Sequence, residues 1–358
     1  MSASAPLRLM IRLLSNPPDL TVVNDPESWN IIKTESGRHG LRPLLAFAAR
    51  KHLPASERHW CDQVLTRAWQ RHNENLASLD YVLGILEAEG IRALALKGPC
   101  LALRYYEPAF LRRPSFDLDV AVTSADFARA CHALERVGYS QLVGVEETLE
   151  FSHHAVLMHK ERPRVEIHFR LTHGARGLGV DEFLSRALPY QLPGGRQVWI
   201  PSPADELLHL ALHVAAGRFA PFFHLYELHR ISALMPREHV EQAARRAAKE
   251  HFVGAFYLID AAFRLHWDEP FLPAGLDLRQ PWLHWRLNEN LYWAYQKWSE
   301  LGGEHTLASR LRGRWLDLQT SDGPSDAWRQ LQLLGRYAGQ QMWKKGWRNV
   351  PIGGVRPR

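Results

Sequence analysis

Residues 116–122 set the first constraint on this chain. Phe116, Leu118, Val120 and Val122 fall on one parity, and Asp117 and Asp119 on the other. That period-two alternation is the signature of a strand with one buried face. Residues two apart on a strand project to the same side, roughly 7 Å apart at about 3.3 Å per residue. Two carboxylates on one side of an otherwise apolar strand are costly to desolvate unless a cation stands between them. Hard divalent ions such as Mg²⁺ are held by one or two carboxylates, with substrate phosphates completing the shell. A bare Asp-x-Asp pair is more often a solvated strand face, so its neighbours decide the matter.

The neighbours alternate between strand and helix. Ile91 to Leu96 is a short apolar run broken by Lys97-Gly98-Pro99. Pro99 has a fixed φ and no N–H, which suits a first helical turn, so a helix is expected to about Tyr106. Ser124 is a good N-cap for a helix that runs to Val137 and stops at Gly138. Further strands are expected at Val156–His159 and Val165–Leu171, the second with Glu166, His168 and Arg170 opposite Val165, Ile167 and Phe169. This mixture predicts an α+β fold, a small mixed sheet flanked by helical segments on both sides in sequence.

At 358 residues the chain exceeds what one hydrophobic core usually serves. Three segments are expected: an N-terminal helical segment over 1–89, an α/β core over 90–200 and a C-terminal helical domain over 201–350. Within the first, residues 1–30 look like a loose lead-in. Trp60, Val64, Ala68, Leu76, Leu79, Leu83 and Leu86 then mark one stripe of a long helix that Glu89-Gly90 ends. In the third, helical periodicity covers 204–216, 225–235, 239–251 and 252–265, with patches around 282–300 and 325–345.

Cys61, Cys100 and Cys131 contain no C-x-x-C pair. This excludes a disulfide scaffold and a cysteine zinc site, and it suits a reducing, cytoplasmic location. No uncharged apolar run reaches the ~18–20 residues of a membrane span, and Arg8 and Arg12 interrupt the apolar start. The net charge of +6 suits an anionic ligand such as a nucleotide without specifying one.

Three neighbours turn the acidic strand toward phosphate chemistry. Lys97 places a point charge at the end of one strand, and Gly98 lets backbone approach a ligand at a helix start. Arg113-Pro114 sets a guanidinium just before the acidic strand, where it can clamp a phosphate. Glu166 adds a third carboxylate if its strand pairs with that of Asp117 and Asp119. His209 and His213, four apart on one helix face, read as packing behind this unit, since residue 210 is Leu and no H-E-x-x-H pattern is present. His153-His154 reads as surface polar. The tryptophans at 282, 285, 293, 298, 315, 328, 343 and 347 read as helical core, and Lys344-Lys345 with Trp347 and Arg348 as the best surface-binding candidate.

The run Leu96-Lys97-Gly98, then Arg113-Pro114-x-x-Asp117-x-Asp119, then Val165-Glu166-Ile167-His168 resembles the bacterial uncharacterised nucleotidyltransferase family, part of the polymerase-beta-like superfamily. Weaker echoes, including Pro201-x-Pro203-x-Asp205-Glu206-Leu207-Leu208-His209-x-x-x-His213, extend the resemblance over most of residues 30–265. It implies transfer of a nucleotidyl group from a nucleoside triphosphate to a hydroxyl, with Mg²⁺ (or Mn²⁺) held by Asp117, Asp119 and Glu166. In the two-metal scheme such ions lie about 3.5–4 Å apart. Lys97, Gly98 and Arg113 would bind the nucleotide. The superfamily's glycine-serine turn is here Gly98-Pro99, so Lys97 is expected to stand in for the missing hydroxyl. The acceptor is not implied; with no dense basic run, a small molecule, a sugar phosphate or a peptide is expected ahead of nucleic acid. Two rivals share the Asp-x-Asp strand: a metal-dependent glycosyltransferase, and a nucleotide- or partner-binding protein without catalysis.

Overall fold

The computed structural model describes residues 5–300 except 146, 147, 150, 151, 173–177, 279, 280, 282 and 284–286, with the backbone alone for 296–300. It also describes 321–325, 327, 328, 331 and 332. Helices come first: α1 (Ala5–Leu13), α2 (Thr21–Asn24), α3 (Pro26–Glu35), α4 (Arg42–Arg50) and α5 (Ala55–Ala88). The sheet region follows as β1 (Leu94–Ala95), α6 (Pro99–Tyr105), β2 (Asp117–Ala121), α7 (Phe127–Glu135), β3 (Ser140–Gln141), β4 (His154–Met158), β5 (Arg164–His168), α8 (Val180–Ser185), β6 (Leu188–Gln191) and β7 (Gln197–Ile200). Then come α9 (Pro203–Ala216), α10 (Phe223–Leu234), α11 (Arg237–Lys249), α12 (Val253–Trp267) and α13 (Glu289–Glu300).

Local chemistry accounts for the helix starts that matter most here. The Asp25 carboxylate accepts from Ser28 N at 3.0 Å, with Pro26 opening α3. Ser202 caps α9 in the same way, with Pro203 in its first turn and Asp205 and Glu206 at its positive end.

Among the described residues, seven strands form one mixed sheet in the order β3-β4-β5-β2-β1-β7-β6. β2 pairs with β5 in parallel and with β1 antiparallel, and β7 joins β1 in parallel. The period-two pattern assigns the two faces. Leu118, Val120, Val165 and Ile167 enter a core with Leu79, Val82 and Leu86 of α5 and Phe127 and Leu134 of α7. Asp117, Asp119, Glu166 and His168 have the opposite parity and face away from it. A second and larger core lies among the helices. It joins Leu7, Met10, Leu13 and Ile32 near the start to Leu208, Leu212, Phe256 and Tyr292 far along the chain.

The α+β class holds, and four details of the sequence reading change. The lead-in is not loose: α1 and α3 form, and Leu7, Met10 and Leu13 are fully packed. The hairpin β6–β7 was not legible, because Pro189 and Gly194-Gly195 interrupt its short alternation. The helix after β2 begins at Phe127 with Asp126 as its cap residue, not at Ser124. Thr123 holds that start, its hydroxyl accepting from Asp126 N at 3.1 Å. Phe116, expected among the core residues, is 68% exposed; strand pairing begins only at Asp117, so no neighbouring strand covers it.

Of the tryptophan-rich region, Trp293 is half-buried against the helical core and Trp328 is 62% exposed. The side chain of Trp298 lies outside the described residues, as do Trp282, Trp285, Trp315, Trp343, Trp347, Lys344, Lys345 and Arg348.

Candidate active site

The parallel register of β2 and β5 sets Asp119 opposite Glu166 and Asp117 opposite Arg164. All four therefore share the sheet face turned from the α5 and α7 core. β1 adds Lys97: Leu96 N donates to Asp119 O at 3.1 Å, which brings the next residue alongside the buried carboxylate. Lys97 Nζ lies 3.1 Å from Asp119 Oδ1 and 3.3 Å from His213 Nδ1 of α9. A lysine only donates, so His213 Nδ1 accepts.

The remaining contacts tighten the cluster. His168 Nε2 lies 3.1 Å from Asp119 Oδ1 and 3.7 Å from Glu166 Oε2. Arg164 Nη2 donates to Asp117 Oδ2 at 2.6 Å and lies 3.4 Å from Glu166 Oε1. His154, the direct cross-strand partner of His168, brings Nε2 to 3.7 Å from Glu166 Oε2. His153 and His154, read from sequence as surface polar, are half-buried and pack their rings on His168 at 5.3 and 4.9 Å between centroids. The physical reason is register, since His154 sits across from His168 on the acidic face.

Burial alone would raise the pKa of Asp119, but the Lys97 ammonium and the hydrogen bond from His168 hold it well below the ordinary carboxylate range. Glu166 moves the other way, raised by burial and by the charge of Asp119. Neighbouring carboxylates pushed apart in this way suit one to stay ionised and the other to exchange a proton.

Behind the acids stands a wall of neutral imidazoles. Burial, then Lys97, pushes His209 down to about 3, and His213 falls well below its ordinary value for the same reasons. His224 of α10, 4.6 Å from His213 between ring centroids, is also lowered to about 3 by burial and Arg113. The packing expected for His209 and His213 is what the fold provides, with His213 also bonded to Lys97.

Gly98 follows with φ at +64°, a backbone conformation that favours glycine. A Cβ built there would lie 3.9 Å from Ser115 Oγ, so a hydroxyl stands beside the turn after all, supplied from the approach to β2. Arg113 has no ion-pair partner among the described residues. Its guanidinium lies 5.9 Å from the exposed Phe116 ring, and burial with the adjacent Arg112 charge lowers its pKa. Gly40 makes room for this side chain, since a Cβ there would come within 2.7 Å of Arg113 Cδ. Sequence reasoning missed Arg164, His154, His213 as a Lys97 partner, and Ser115. Only Arg164 carried a usable signal, sharing strand parity with Glu166.

Residues 25–263 match the family described as uncharacterised nucleotidyltransferase, which is more than half of the chain. The chain belongs to that family. No curated protein matches it. Among solved structures, the solution structure of the antibiotic-resistance factor ANT(2'')-Ia aligns with 49% of this chain and 95% of its own length, at 13% identity and a TM-score of 0.35. Membership implies a transferase with a nucleotide substrate. No helix among the described residues is long and apolar enough to cross a membrane.

One oxygen each from Asp119 and Glu166 and one nitrogen from His168 lie within 4.8 Å of one another. A donor set of that span and chemistry fits a divalent cation.

Proposed function

We propose that this nucleotidyltransferase is metal-dependent and moves a nucleotidyl group from a nucleoside triphosphate to a hydroxyl on a small molecule, a sugar phosphate or a peptide, in a reducing cytoplasm. The observation that carries the proposal is the β2–β5 register, which gathers Asp117, Asp119 and Glu166 on one face. Asp117, Asp119 and Glu166 would hold Mg²⁺ or Mn²⁺; when bound, the metal neutralises the triphosphate and eases ionisation of the attacking hydroxyl.

The chain's own groups divide the remaining work. The acceptor oxygen attacks the α-phosphorus, the bond from that phosphorus to the bridging oxygen breaks, and pyrophosphate leaves. Glu166 would either hold the ion on the attacking side or, with its raised pKa, accept the hydroxyl proton. Arg113, half-buried beside the acidic strand, steadies charge as it moves onto the leaving group. Lys97 would exchange its contact with Asp119 for the phosphates when the nucleotide binds, and the Gly98 turn lets backbone approach them. The 90–200 segment carries this chemistry, and the helices of 201–350 select the acceptor.

The test is incubation with Mg²⁺ and each α-labelled triphosphate, alone and with cell extract divided into protein, RNA and small-molecule fractions. Label that moves to one fraction, and stays behind with Asp119→Asn, names the acceptor class. Label that enters RNA alone overturns the acceptor ordering. Triphosphate binding with neither transfer nor pyrophosphate release would favour the non-catalytic rival.

A further inference from the structure

The alternation that turns Glu166 away from the α5 and α7 core turns His168 the same way, two residues further along β5. An imidazole is an unexpected neighbour for two carboxylates reserved for a hard ion, because Mg²⁺ takes oxygen ligands and gives up water reluctantly. Yet His168 is 4% exposed, and its Nε2 points between Asp119 Oδ1 and Glu166 Oε2, at 3.1 and 3.7 Å. The three donor atoms lie within 4.8 Å of one another. Ligand distances of about 2.0–2.3 Å span at most about 4.6 Å between donors, so a side-chain shift of a few tenths of an ångström brings all three to one ion.

We propose that His168 is itself a metal ligand, completing with Asp119 and Glu166 a mixed oxygen–nitrogen set that prefers a first-row transition ion such as Mn²⁺ or Co²⁺ over Mg²⁺. The proposal rests on the metal-dependent reading for its two carboxylates and adds the nitrogen and the class of ion. Imidazole donors suit first-row transition ions far better than Mg²⁺. His168 Nε2 faces Asp119 Oδ1 at 3.1 Å as a donor, and Nδ1 has no hydrogen-bond partner among the described residues, so Nδ1 can carry the ring proton when a cation takes its place at Nε2. Nε2 can shed its proton to Nδ1 and offer its lone pair. His154 sits one step out, touching Glu166 at 3.7 Å, and would orient that carboxylate instead of binding the ion.

The experiment loads the full chain with Mn²⁺ without nucleotide and reads nitrogen coupling to the electron spin by pulsed electron paramagnetic resonance. The expected result is a ¹⁴N coupling that is replaced by ¹⁵N in histidine-labelled protein. It should be lost in His168→Gln and kept in His154→Gln. In His168→Gln, Mn²⁺ affinity should fall about tenfold, while Mg²⁺ affinity changes much less. Bound Mn²⁺ without nitrogen coupling, or coupling that survives His168→Gln, overturns the proposal and leaves the carboxylate site standing. Protein that binds no Mn²⁺, with or without triphosphate, overturns the metal-dependent reading as well. Should His168→Gln fail to fold, the wild-type label exchange together with loss of coupling in His154→Gln would assign the nitrogen to His154 and overturn the proposal. Coupling retained there supports His168.

Discussion

Buried carboxylates occur in two settings in this protein, and they are held differently. Glu227 accepts from both Arg112 Nε and Arg112 Nη2, at 2.6 and 3.0 Å, with the Tyr106 hydroxyl as a third donor. Asp205 is fully buried between Arg186, Arg246 and Ser202, and Glu206 sits between Arg104 and Tyr105. Glu227 and Asp205 meet planar guanidinium forks, and Glu206 meets one guanidinium nitrogen and a hydroxyl. In each case both carboxylate oxygens are occupied by a group paired with an arginine that stays charged. Asp119 is as deeply buried, yet it meets an ammonium and an imidazole, each through one atom. The first setting is closed to any other cation. The second can exchange its partners, which is what a site must do.

The comparison can be broken at either end. The largest effect is expected from Asp117→Asn, which should lower Mg²⁺- or Mn²⁺-dependent transfer by about three orders of magnitude, roughly 4 kcal/mol of transition-state stabilisation. Its partly exposed pair with Arg164 contributes less than about 1 kcal/mol to folding. Steady-state rates beside a urea melt check both halves, and near-normal turnover would remove Asp117 from the site.

Glu227→Ala should do the reverse. It strands the buried Arg112 charge, and denaturant melts should show a loss of about 3 kcal/mol or more. A variant as stable as the wild type would mean that the forked pairs are not structural.

The third prediction uses pH. His209 is neutral when folded, with its pKa pushed to about 3, whereas in the unfolded chain it takes up a proton near pH 6.5. Its native pKa is depressed, so stability is full above about pH 6.5 and declines as pH falls below it. Glu166 and Glu206, whose pKa values are raised, act in the opposite sense. The comparison is therefore between variants: between pH 7 and pH 5, His209→Leu should lose about 2 kcal/mol less than the wild type. Parallel pH slopes in the two proteins would show that the imidazole wall carries no protonation cost.

The smallest effect is expected at Lys97. Lys97→Ala should lower kcat/KM for the triphosphate about tenfold, near 1.4 kcal/mol, with partial rescue by Lys97→Arg because a planar fork does not reproduce a compact ammonium. Full activity in the alanine variant would pass the phosphate role to Arg113.

The acidic strand was legible because its alternation is local and its charges interrupt an apolar pattern. Lys97 and Glu166 were legible through motif order, although their meeting depends on a register that only pairing supplies. His154, His213 and Ser115 were not legible: each arrives at the site through a different long-range contact, and none breaks its local pattern. Phe116 misled because alternation continues one residue past the point where neighbouring strands cover it. The first helices misled for a different reason, since α1 is covered by α2, α3 and α4 together and no single stretch of the first 50 residues shows that packing in its own pattern.

That long-range core has a consequence for how the protein is made. A ribosome that has released residues up to about 200 has already delivered every strand of the sheet and all three acids. The nascent chain at that stage still lacks His209 and His213 behind Lys97, and the helical core still lacks Leu208, Leu212, Phe256 and Tyr292. The acidic face is therefore written early and closed late. A vectorially synthesised chain acquires its assembled site only when α9 folds back and brings His213 to Lys97.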